Sequence, residues 1–427
     1  MKMLTRPVVH VYKLLVSRIA FIPTLMGAAG LSVAIITLYM ESHEYTNWLD
    51  DHLAFALVKG SENARMVLTT IIGGVLSLTV FSFSMVMVVL NRATASLSPR
   101  LLPQLIADKA HQVVLGFYMA TIVFSLILII NIDNGNGVPS FGILLSMVAT
   151  IICLGLFIYF IHSISQSIQV GNIMTSIYSD TLKRINKLKD KKPLPESALK
   201  VKWFPVLKAE KPGYYKFIDS DGLNDTEGAE VMLKICHCPE DFVLTKEPLL
   251  VSNQPDKFIR QKMRDSFEHS EQPPDDTSFI SGFQKISEIA IKALSPGIND
   301  PGTAVRAIRL LNQLFSELLP YQDSHAQHTH DKKNLCIIYK LPSFDALMRG
   351  TILAIQHYAD GSLQIIDALL DLYQSLIRQA ESGIKGTLLN HLNALMQSSE
   401  GKTITKYDLD RIKKRVNQLI NEDMITQ

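Results

Sequence analysis

The sequence predicts a mainly α membrane protein, in which four transmembrane helices precede a cytoplasmic α+β region made of a small β unit and then a helical bundle. Three observations predict this fold class. Four apolar runs lie within the first 165 residues, and each can cross a hydrocarbon core that needs about 20 apolar residues. Short strand-like runs with turn signals follow them. From Thr277 onward the apolar residues recur at helical spacing.

The first apolar run follows a basic start that superficially resembles a signal peptide. The run is too long for one, and Ala28, Ala29 and Gly30 lie in its middle, so an uncleaved helix is expected. No Lys, Arg, Asp or Glu lies at mid-span in any run, which gives a proton relay or charge-coupled transporter little support. The runs are Ile19 to Met40, Arg65 to Leu90, Val113 to Asn131 and Phe141 to His162.

The distribution of basic residues predicts the orientation of these helices. Lys and Arg are frequent before the first run, between the second and third, and after the fourth. The segment Asp133 to Pro139 has neither. Basic loops stay on the cytoplasmic side, so we expect a multi-pass protein with both termini in the cytoplasm. The net charge of +2 gives no field that would favour a nucleic-acid partner, and the expected partner is the lipid bilayer.

The second run carries a narrow stripe of small and polar residues, because several of them recur every seven positions. Such a stripe serves either tight helix packing or a water-accessible path. On the second interpretation the protein is a homo-oligomeric pore or transport protein for an ion or small solute, with a cytosolic gating or anchoring domain. The candidate pore-lining residues are Thr70, Gly73, Gly74, Ser77, Ser84 and Asn91.

Two motifs resemble those of a bacterial membrane-protein family catalogued as domain of unknown function 2254. The first lies in Ser82 to Leu115, and the second runs from Ala290 to Ala304. The resemblance implies a bacterial inner-membrane location and four spans followed by a cytosolic region, and it implies no established activity. The chain departs from the family pattern at Gln272 to Asp276, where an Arg-Thr and Gln-Asp pair is expected. The motif loops contain Ser98, Pro99, Arg100, Ser295, Pro296, Gly297, Asn299, Asp300 and Pro301.

The helix after the fourth run is expected to continue unbroken to Asn186, and Pro193 to Pro212 is expected to be an irregular linker. Four strand-like runs follow, and the last two form a predicted hairpin: Tyr214 to Ile218, Val231 to Cys238, Phe242 to Leu244 and Pro248 to Val251. The predicted domains are a cytoplasmic N-terminus (1–18), a four-helix membrane domain (19–165), a helical extension (166–192), a linker with a small β domain (193–276) and a cytoplasmic helical domain (277–427).

In the last domain, the Ser-Pro-Gly-Ile-Asn-Asp-Pro motif is predicted to join two helices. Asn299 or Asp300 can cap the second helix and Pro301 suits its first turn. A ligand could instead bind at that helix N-terminus. Further helices are predicted over Phe344 to Tyr358, Ser362 to Ala380, Thr387 to Gln397 and Lys406 to Asn421.

The sequence gives little support to an enzyme and predicts no cofactor or metal. It contains no nucleotide fingerprint, phosphate-binding glycine loop or nucleophile motif. Cys236 and Cys238 lack a paired Cys-x-x-Cys, and His325, His328 and His330 lie in a stretch of loop composition. A membrane-tethered sensor or scaffold, whose cytosolic helical domain binds a ligand or partner, therefore stands as the alternative to the pore.

Overall fold

Four long apolar helices begin the part of the chain that the structure describes, as the sequence predicts. The computed structural model describes residues 21–42, 58, 60–96, 109–133, 138–167, 169–189, 201–217, 231–254, 263, 266–272, 278–321, 335–359, 361–400 and 405–425. The four helices are α1 (Phe21–Ser42), α2 (Ser61–Ser96), α3 (Lys109–Asp133) and α4 (Ser140–Ser167). Their apolar stretches are 21, 31, 23 and 27 residues long, enough to cross a bilayer. Most of these side chains are not covered by the rest of the protein, which suits lipid as their solvent.

The chain divides into two compact units, Met1–Asn172 and Ile173–Gln427. In the first unit, α1 and α3 come closest where small residues meet. A Cβ at Gly30 would lie 2.6 Å from the carbonyl oxygen of Ala120, and a Cβ at Gly116 would overlap the side chain of Met26. Small residues at a helix interface let the two backbones approach closely inside a membrane.

The fourth helix does not continue into the next one. Helix α5 covers Val170–Lys189, so the prediction of one unbroken helix to Asn186 is wrong. The Asn172 side-chain amide donates to the backbone carbonyl of Gln166 at 3.2 Å, where a helical N–H would otherwise bond. Side chains that compete for backbone groups in this way interrupt helices, and the neighbouring Gly171 has low helix propensity.

The second unit contains two small sheets. Its strands are β1 (Phe204–Lys208), β2 (Gly213–Phe217), β3 (Val231–Ile235), β4 (Phe242–Val243), β5 (Pro248–Ser252), β6 (Phe267–Ser270) and β7 (Leu335–Ile338). One sheet has the order β1-β5-β3-β7 and the other β4-β2-β6. β3 and β7 pair in parallel, whereas the other described pairs are antiparallel. Leu233, Leu250 and Ile337 form the buried centre of the first sheet.

Three sequence expectations fail in this region. Strand β1 lies inside Pro193 to Pro212, which was expected to be irregular. Pro205 and the lysines around it hide the strand pattern in the sequence, although Val206 is buried. β4 and β5 do not form a hairpin, since each joins a different sheet. β6 and β7 were not expected as strands, and β7 pairs with a strand about a hundred residues earlier in the chain.

The helical part begins with α6 (Phe279–Ala293), which is buried on most sides. The ring of Phe283 lies 4.7 Å from that of Phe315 in α7 (Pro301–Leu318), and these aromatic rings form part of the core. The remaining helices match the predicted positions, with a π-helical segment, Arg349–Leu353, between α8 and α9. They are α8 (Phe344–Met348), α9 (Ala354–Tyr358), α10 (Leu363–Gln379), α11 (Ser382–Glu400) and α12 (Lys406–Ile425).

Within the second unit, the C-terminal part of α5 packs directly on α6. A Cβ at Gly282 of α6 would lie 2.8 Å from both Cβ and Cγ2 of Thr181, so only glycine fits there. Arg184 donates from Nη1 to the carbonyl oxygen of Ser278 at 2.9 Å, just before α6 begins. Arg306 of α7 donates to Oγ1 of Thr175 at 3.1 Å. These contacts attach α5 to the helical part of the unit.

Candidate functional site

A cavity of about 380 Å³ lies where α5, the two sheets and the start of α6 meet in the second unit. One wall is aromatic: the ring of Phe217 lies 5.3 Å from that of Phe267 and 5.9 Å from that of Tyr339. Small-molecule sites in proteins are concave, mostly apolar and of roughly 300 to 1,000 Å³. The cavity is therefore large enough for a small organic molecule.

Cationic residues from three separate elements line this cavity: Lys187 from α5, Lys216 from β2 and Lys340 from the segment after β7. Lys216 alternates along β2 with Tyr215 and Phe217, so its side chain lies on the other face of the strand. Across the described ranges, none of these three lysines forms an ion pair with a carboxylate. Arg184 also lines the cavity, and Glu240 is the carboxylate among its described lining residues. Cations that converge without matching carboxylates create a positive potential that favours an anion.

Ser278 connects three walls of the cavity. Its hydroxyl donates to Oε1 of Glu240 at 2.5 Å, its carbonyl oxygen accepts from Arg184, and its side chain caps α6 through the amide of Ser281. Glu240 has a positive φ of 76°, a conformation that is uncommon for residues other than glycine. A carboxylate near a helix N-terminus is electrostatically favourable. The loop before β4, helix α5 and helix α6 are thus held together at one serine.

The cysteines beside the cavity are unsuited to thiolate chemistry. Burial, and then the neighbouring Asp241 carboxylate, raise the pKa of the Cys238 thiol to about 11. Burial also raises the pKa of Cys236. Since the thiolate is the form that attacks electrophiles and binds metals, both cysteines are protonated and inert near neutral pH. His237 donates from Nε2 to the carbonyl oxygen of Pro248 at 3.0 Å.

No group of three or more His, Cys, Asp or Glu residues that could hold a metal ion occurs in the described part of the chain. His325, His328 and His330 lie outside the described residues.

The Ser-Pro-Gly-Ile-Asn-Asp-Pro motif forms an exposed turn between α6 and α7. Asp300 caps α7, because its carboxylate accepts from the Thr303 amide at 3.0 Å and from the Thr303 hydroxyl at 2.6 Å. These hydrogen bonds, first the one from the Thr303 side chain, lower the pKa of Asp300. Asn299 takes a positive φ of 47° and Pro301 begins the helix. The carboxylate of Asp300 already satisfies this helix N-terminus, so the turn itself explains the motif. The exposed tip contains Pro296, Gly297 and Ile298, and Ser295 is half-buried.

The predicted stripe on α2 lies on the surface of the membrane unit. Thr70, Ser77 and Ser84 are exposed, and each hydroxyl donates to the carbonyl oxygen four residues earlier, at 2.8, 2.8 and 2.9 Å. A Cβ added at Gly73 or Gly74 would meet nothing within 4 Å. Asn91 is likewise exposed. The stripe therefore faces away from the other described helices of the chain. Ser98, Pro99 and Arg100 lie outside the described residues.

A second polar line, which we call the polar seam, is buried inside the membrane unit. Ser125 of α3 lies 2.5 Å from Ser146 of α4, measured between hydroxyl oxygens. Thr121 Oγ1 lies 3.5 Å from Cys153 Sγ. At the start of α3, His111 Nε2 lies 3.2 Å from the hydroxyl of Ser163. The seam comprises Ser82, His111, Tyr118, Thr121, Ser125, Ser146, Cys153 and Ser163.

Two hydroxyls in the polar seam are buried without a hydrogen bond. Tyr118 OH and Ser82 Oγ are fully buried, and neither forms a hydrogen bond within the described part of the protein. They are near enough to influence each other. A buried hydroxyl without a partner is destabilising relative to one that is paired. Interhelical hydrogen bonds elsewhere along the seam hold α3 to α4 in a medium that offers no water.

Comparison with known proteins places the chain in a family. The family model described as "Predicted membrane protein (DUF2254)" matches residues 16–375, which include all four apolar helices and most of the second unit. The chain belongs to this family. It is 24% identical over 377 residues to an uncharacterized protein of Mycobacterium bovis, and the same values hold for one of Mycobacterium tuberculosis. Each match covers 83% of this chain and 71% of the relative. No solved structure matches the chain significantly.

A glycine begins the strand that supplies part of the aromatic wall. Gly213, at the start of β2, has a φ of 151°, and a Cβ there would lie 2.7 Å from the carbonyl oxygen of Ser270. The glycine therefore allows β2 and β6 to pair closely, and this pairing sets Lys216 beside the cavity. Sequence reasoning did not find the three lysines, because isolated lysines in strands and helices look like solvated surface.

Proposed function

We propose that this protein is a membrane-tethered sensor whose second unit binds a small ligand in the cavity. The cavity carries this proposal, because it combines an aromatic wall with cationic residues from α5 and from the segment after β7. The function corresponds to the alternative drawn from the sequence. The ligand site lies at the junction of the β part with α5 and α6, so both parts of the second unit take part.

The same proposal includes a location and an orientation. Basic residues cluster before the first span, between the second and third, and after the fourth, whereas 133–139 contains no Lys or Arg. The second unit and both termini then lie in the cytoplasm of a bacterium, with the four helices in its inner membrane. Cysteine labelling at Gly137 from outside intact cells would test this, since protection there contradicts the orientation.

Helix α5 is the element through which ligand binding can reach the membrane helices. It supplies Arg184, Lys187 and Leu188 to the cavity wall. Only two residues separate the start of α5 from the end of α4. A ligand shifts a conformational equilibrium only if its contacts differ between the two states. Contacts to α5 satisfy this condition if α5 moves relative to the loop that holds Glu240.

The test compares small molecules that co-purify with the full-length protein and with a variant whose cavity is filled. Leu341→Trp places a larger side chain at the half-buried cavity wall, and Leu310→Trp adds the same ring to a half-buried position outside the lining. We expect one molecule, near one copy per chain, in the wild type and the control but not in Leu341→Trp. Equal recovery from all three proteins, or from none, contradicts a ligand site in the cavity.

A pore built from several copies of the chain is the second candidate function. The observation that favours it is the exposure of the α2 stripe, since residues that line a path between subunits must be free of other helices within one subunit. The open space above Gly73 and Gly74 would let a neighbouring helix approach closely. The hydroxyls of Thr70, Ser77 and Ser84 already donate hydrogen bonds to carbonyl oxygens of α2, so the path would be neutral and weakly selective.

Flux through proteoliposomes tests the pore. Ser77→Leu puts a large apolar group on the stripe, whereas Ser77→Ala keeps the position small. We expect solute or ion flux that falls in Ser77→Leu and persists in Ser77→Ala, together with an oligomer in mild detergent. A protein that is monomeric in native membranes, or one whose flux is unaffected by Ser77→Leu, contradicts a path along α2.

A further inference from the structure

We propose that the cavity binds an organic phosphate with a flat apolar body. This inference rests on the proposed ligand-binding function and adds the chemical class of the ligand. It follows from the charge at the cavity, from the nature of its wall and from the groups that are already engaged.

The charge indicates a phosphate rather than a neutral group. Lys187 and Lys340 line one cavity from two elements, and neither has an ion-pair partner within the described ranges. A phosphate monoester carries about −1.5 to −2 charges at pH 7 and three acceptor oxygens. It can therefore accept from more than one ammonium group, whereas one carboxylate would leave much of the positive charge uncompensated.

The wall indicates a flat apolar body. Phe217 packs edge-to-face with Phe267 and with Tyr339, at interplanar angles of 69° and 79°. Rings held in this way present a fixed aromatic surface, which favours a planar ligand group by stacked or edge-to-face contact. Burial raises the pKa of Tyr339, so its phenol remains neutral and adds no opposing charge.

The remaining polar groups at the cavity are engaged with the protein. Arg184 donates to the Ser278 carbonyl, and Glu240 accepts from the Ser278 hydroxyl. Nε2 of His237 donates to the carbonyl oxygen of Pro248. Lys187 and Lys340 thus offer ammonium groups to an incoming anion, and the charge of Arg184 adds to the positive potential.

Equilibrium dialysis of the full-length protein in detergent tests this inference, with AMP as the phosphate probe and adenosine as its matched neutral probe. Empty micelles correct for partitioning. We expect about one AMP per chain, bound at least about tenfold more tightly than adenosine. Lys187→Gln and Lys340→Gln should each weaken AMP binding about tenfold, and Lys340→Arg should retain it. Lys414→Gln, an exposed change on α12, should leave it unchanged.

Each contrary result has a distinct meaning. If adenosine binds as tightly as AMP, the cavity binds a neutral molecule, so the phosphate inference fails while the proposed function stands. If neither probe binds but Leu341→Trp still removes a co-purifying molecule, the ligand class is again wrong. If neither probe binds and nothing co-purifies, both proposals fail. Melting temperatures of the variants exclude unfolding as the cause of lost binding.

The phosphate could belong to a soluble molecule or to a lipid headgroup, and nanodiscs distinguish the two. AMP binding is measured in nanodiscs of neutral lipid and in nanodiscs that also contain phosphatidylglycerol. Weaker AMP binding with the anionic lipid means that a headgroup phosphate competes for the site, so phosphate recognition stands and the flat apolar body is wrong. Unchanged AMP binding supports the same recognition and assigns it to a soluble phosphate.

Discussion

Replacing Gly282 by alanine should separate α5 from α6. The added Cβ would overlap the Thr181 hydroxyl and lie 2.8 Å from Cβ and Cγ2 of the same residue. Carbon atoms pack best at about 3.5 to 4.0 Å, so α5 must move by roughly 0.7 Å or more. Overpacking of this kind costs about 1 to 3 kcal/mol. For a unit of this size, about 2 kcal/mol lowers the melting temperature by roughly 4 to 8 °C.

Thermal unfolding of the full-length protein in detergent measures this effect, followed by Trp203 fluorescence in a Trp48→Phe background so that only the second unit reports. Gly386→Ala in α11 is the matched control, because its Cβ would meet nothing within 4 Å and alanine should stabilise the helix by about 0.5 to 1 kcal/mol. Adding Thr181→Ala to Gly282→Ala removes the overlapping hydroxyl and should restore at least half of the loss. A Gly282→Ala protein as stable as Gly386→Ala would refute the close packing of α5 on α6.

Three further predictions concern single positions. Asp300→Ala should cost about 1 kcal/mol of stability through loss of the α7 cap, and Asp300→Asn much less. Because the folded pKa of Asp300 is lowered, the charge of Asp300 contributes fully to stability above about pH 4, and this contribution is lost as the pH falls through the folded pKa. The melting temperatures of wild type and Asp300→Asn, measured as a function of pH, should therefore converge in acid. Parallel curves of melting temperature against pH would contradict this. Tyr118→Phe should leave the melting temperature unchanged or slightly higher, since the hydroxyl forms no well-aligned hydrogen bond in the described structure, and a loss above about 1 kcal/mol would mean that it bonds to the neighbouring Ser82 hydroxyl. Gly30→Ala should destabilise the membrane unit by about 1 to 3 kcal/mol by contact with Ala120, whereas Gly27→Ala, with open space, should not; equal melting temperatures would exclude the close α1–α3 approach.

The membrane helices could be predicted because their signal is local. A run such as Val113 to Asn131 needs only length and hydrophobicity to be recognised, and the structure confirms helices at all four runs. The turn before Pro301 could also be predicted from the sequence, since helix capping depends on residues within one turn. Strand β7 could not be predicted from the sequence, because its pairing with β3 joins residues about a hundred positions apart.

The cavity and the polar seam were missed for the same physical reason. Lys187 and Lys340 stand more than 150 positions apart, and only tertiary packing brings them to one cavity. In the seam, Ser125 and Ser146 each look like a tolerated hydroxyl in an apolar helix. Their pairing depends on the rotation of α3 against α4, which hydrophobicity does not specify. The exposed stripe on α2 was visible because all its residues lie on one helix.

The reactivity of Cys153 can report whether water enters the membrane helices. It is the only cysteine in residues 1–172, and its side chain is fully buried beside Thr121 at mid-membrane in α4. With the other three cysteines changed to serine, a small charged thiol reagent that does not enter lipid can modify this sulfur only when water enters the helix bundle. The rate of that reaction, compared with and without a ligand in the cavity, would reveal whether the membrane helices loosen on binding.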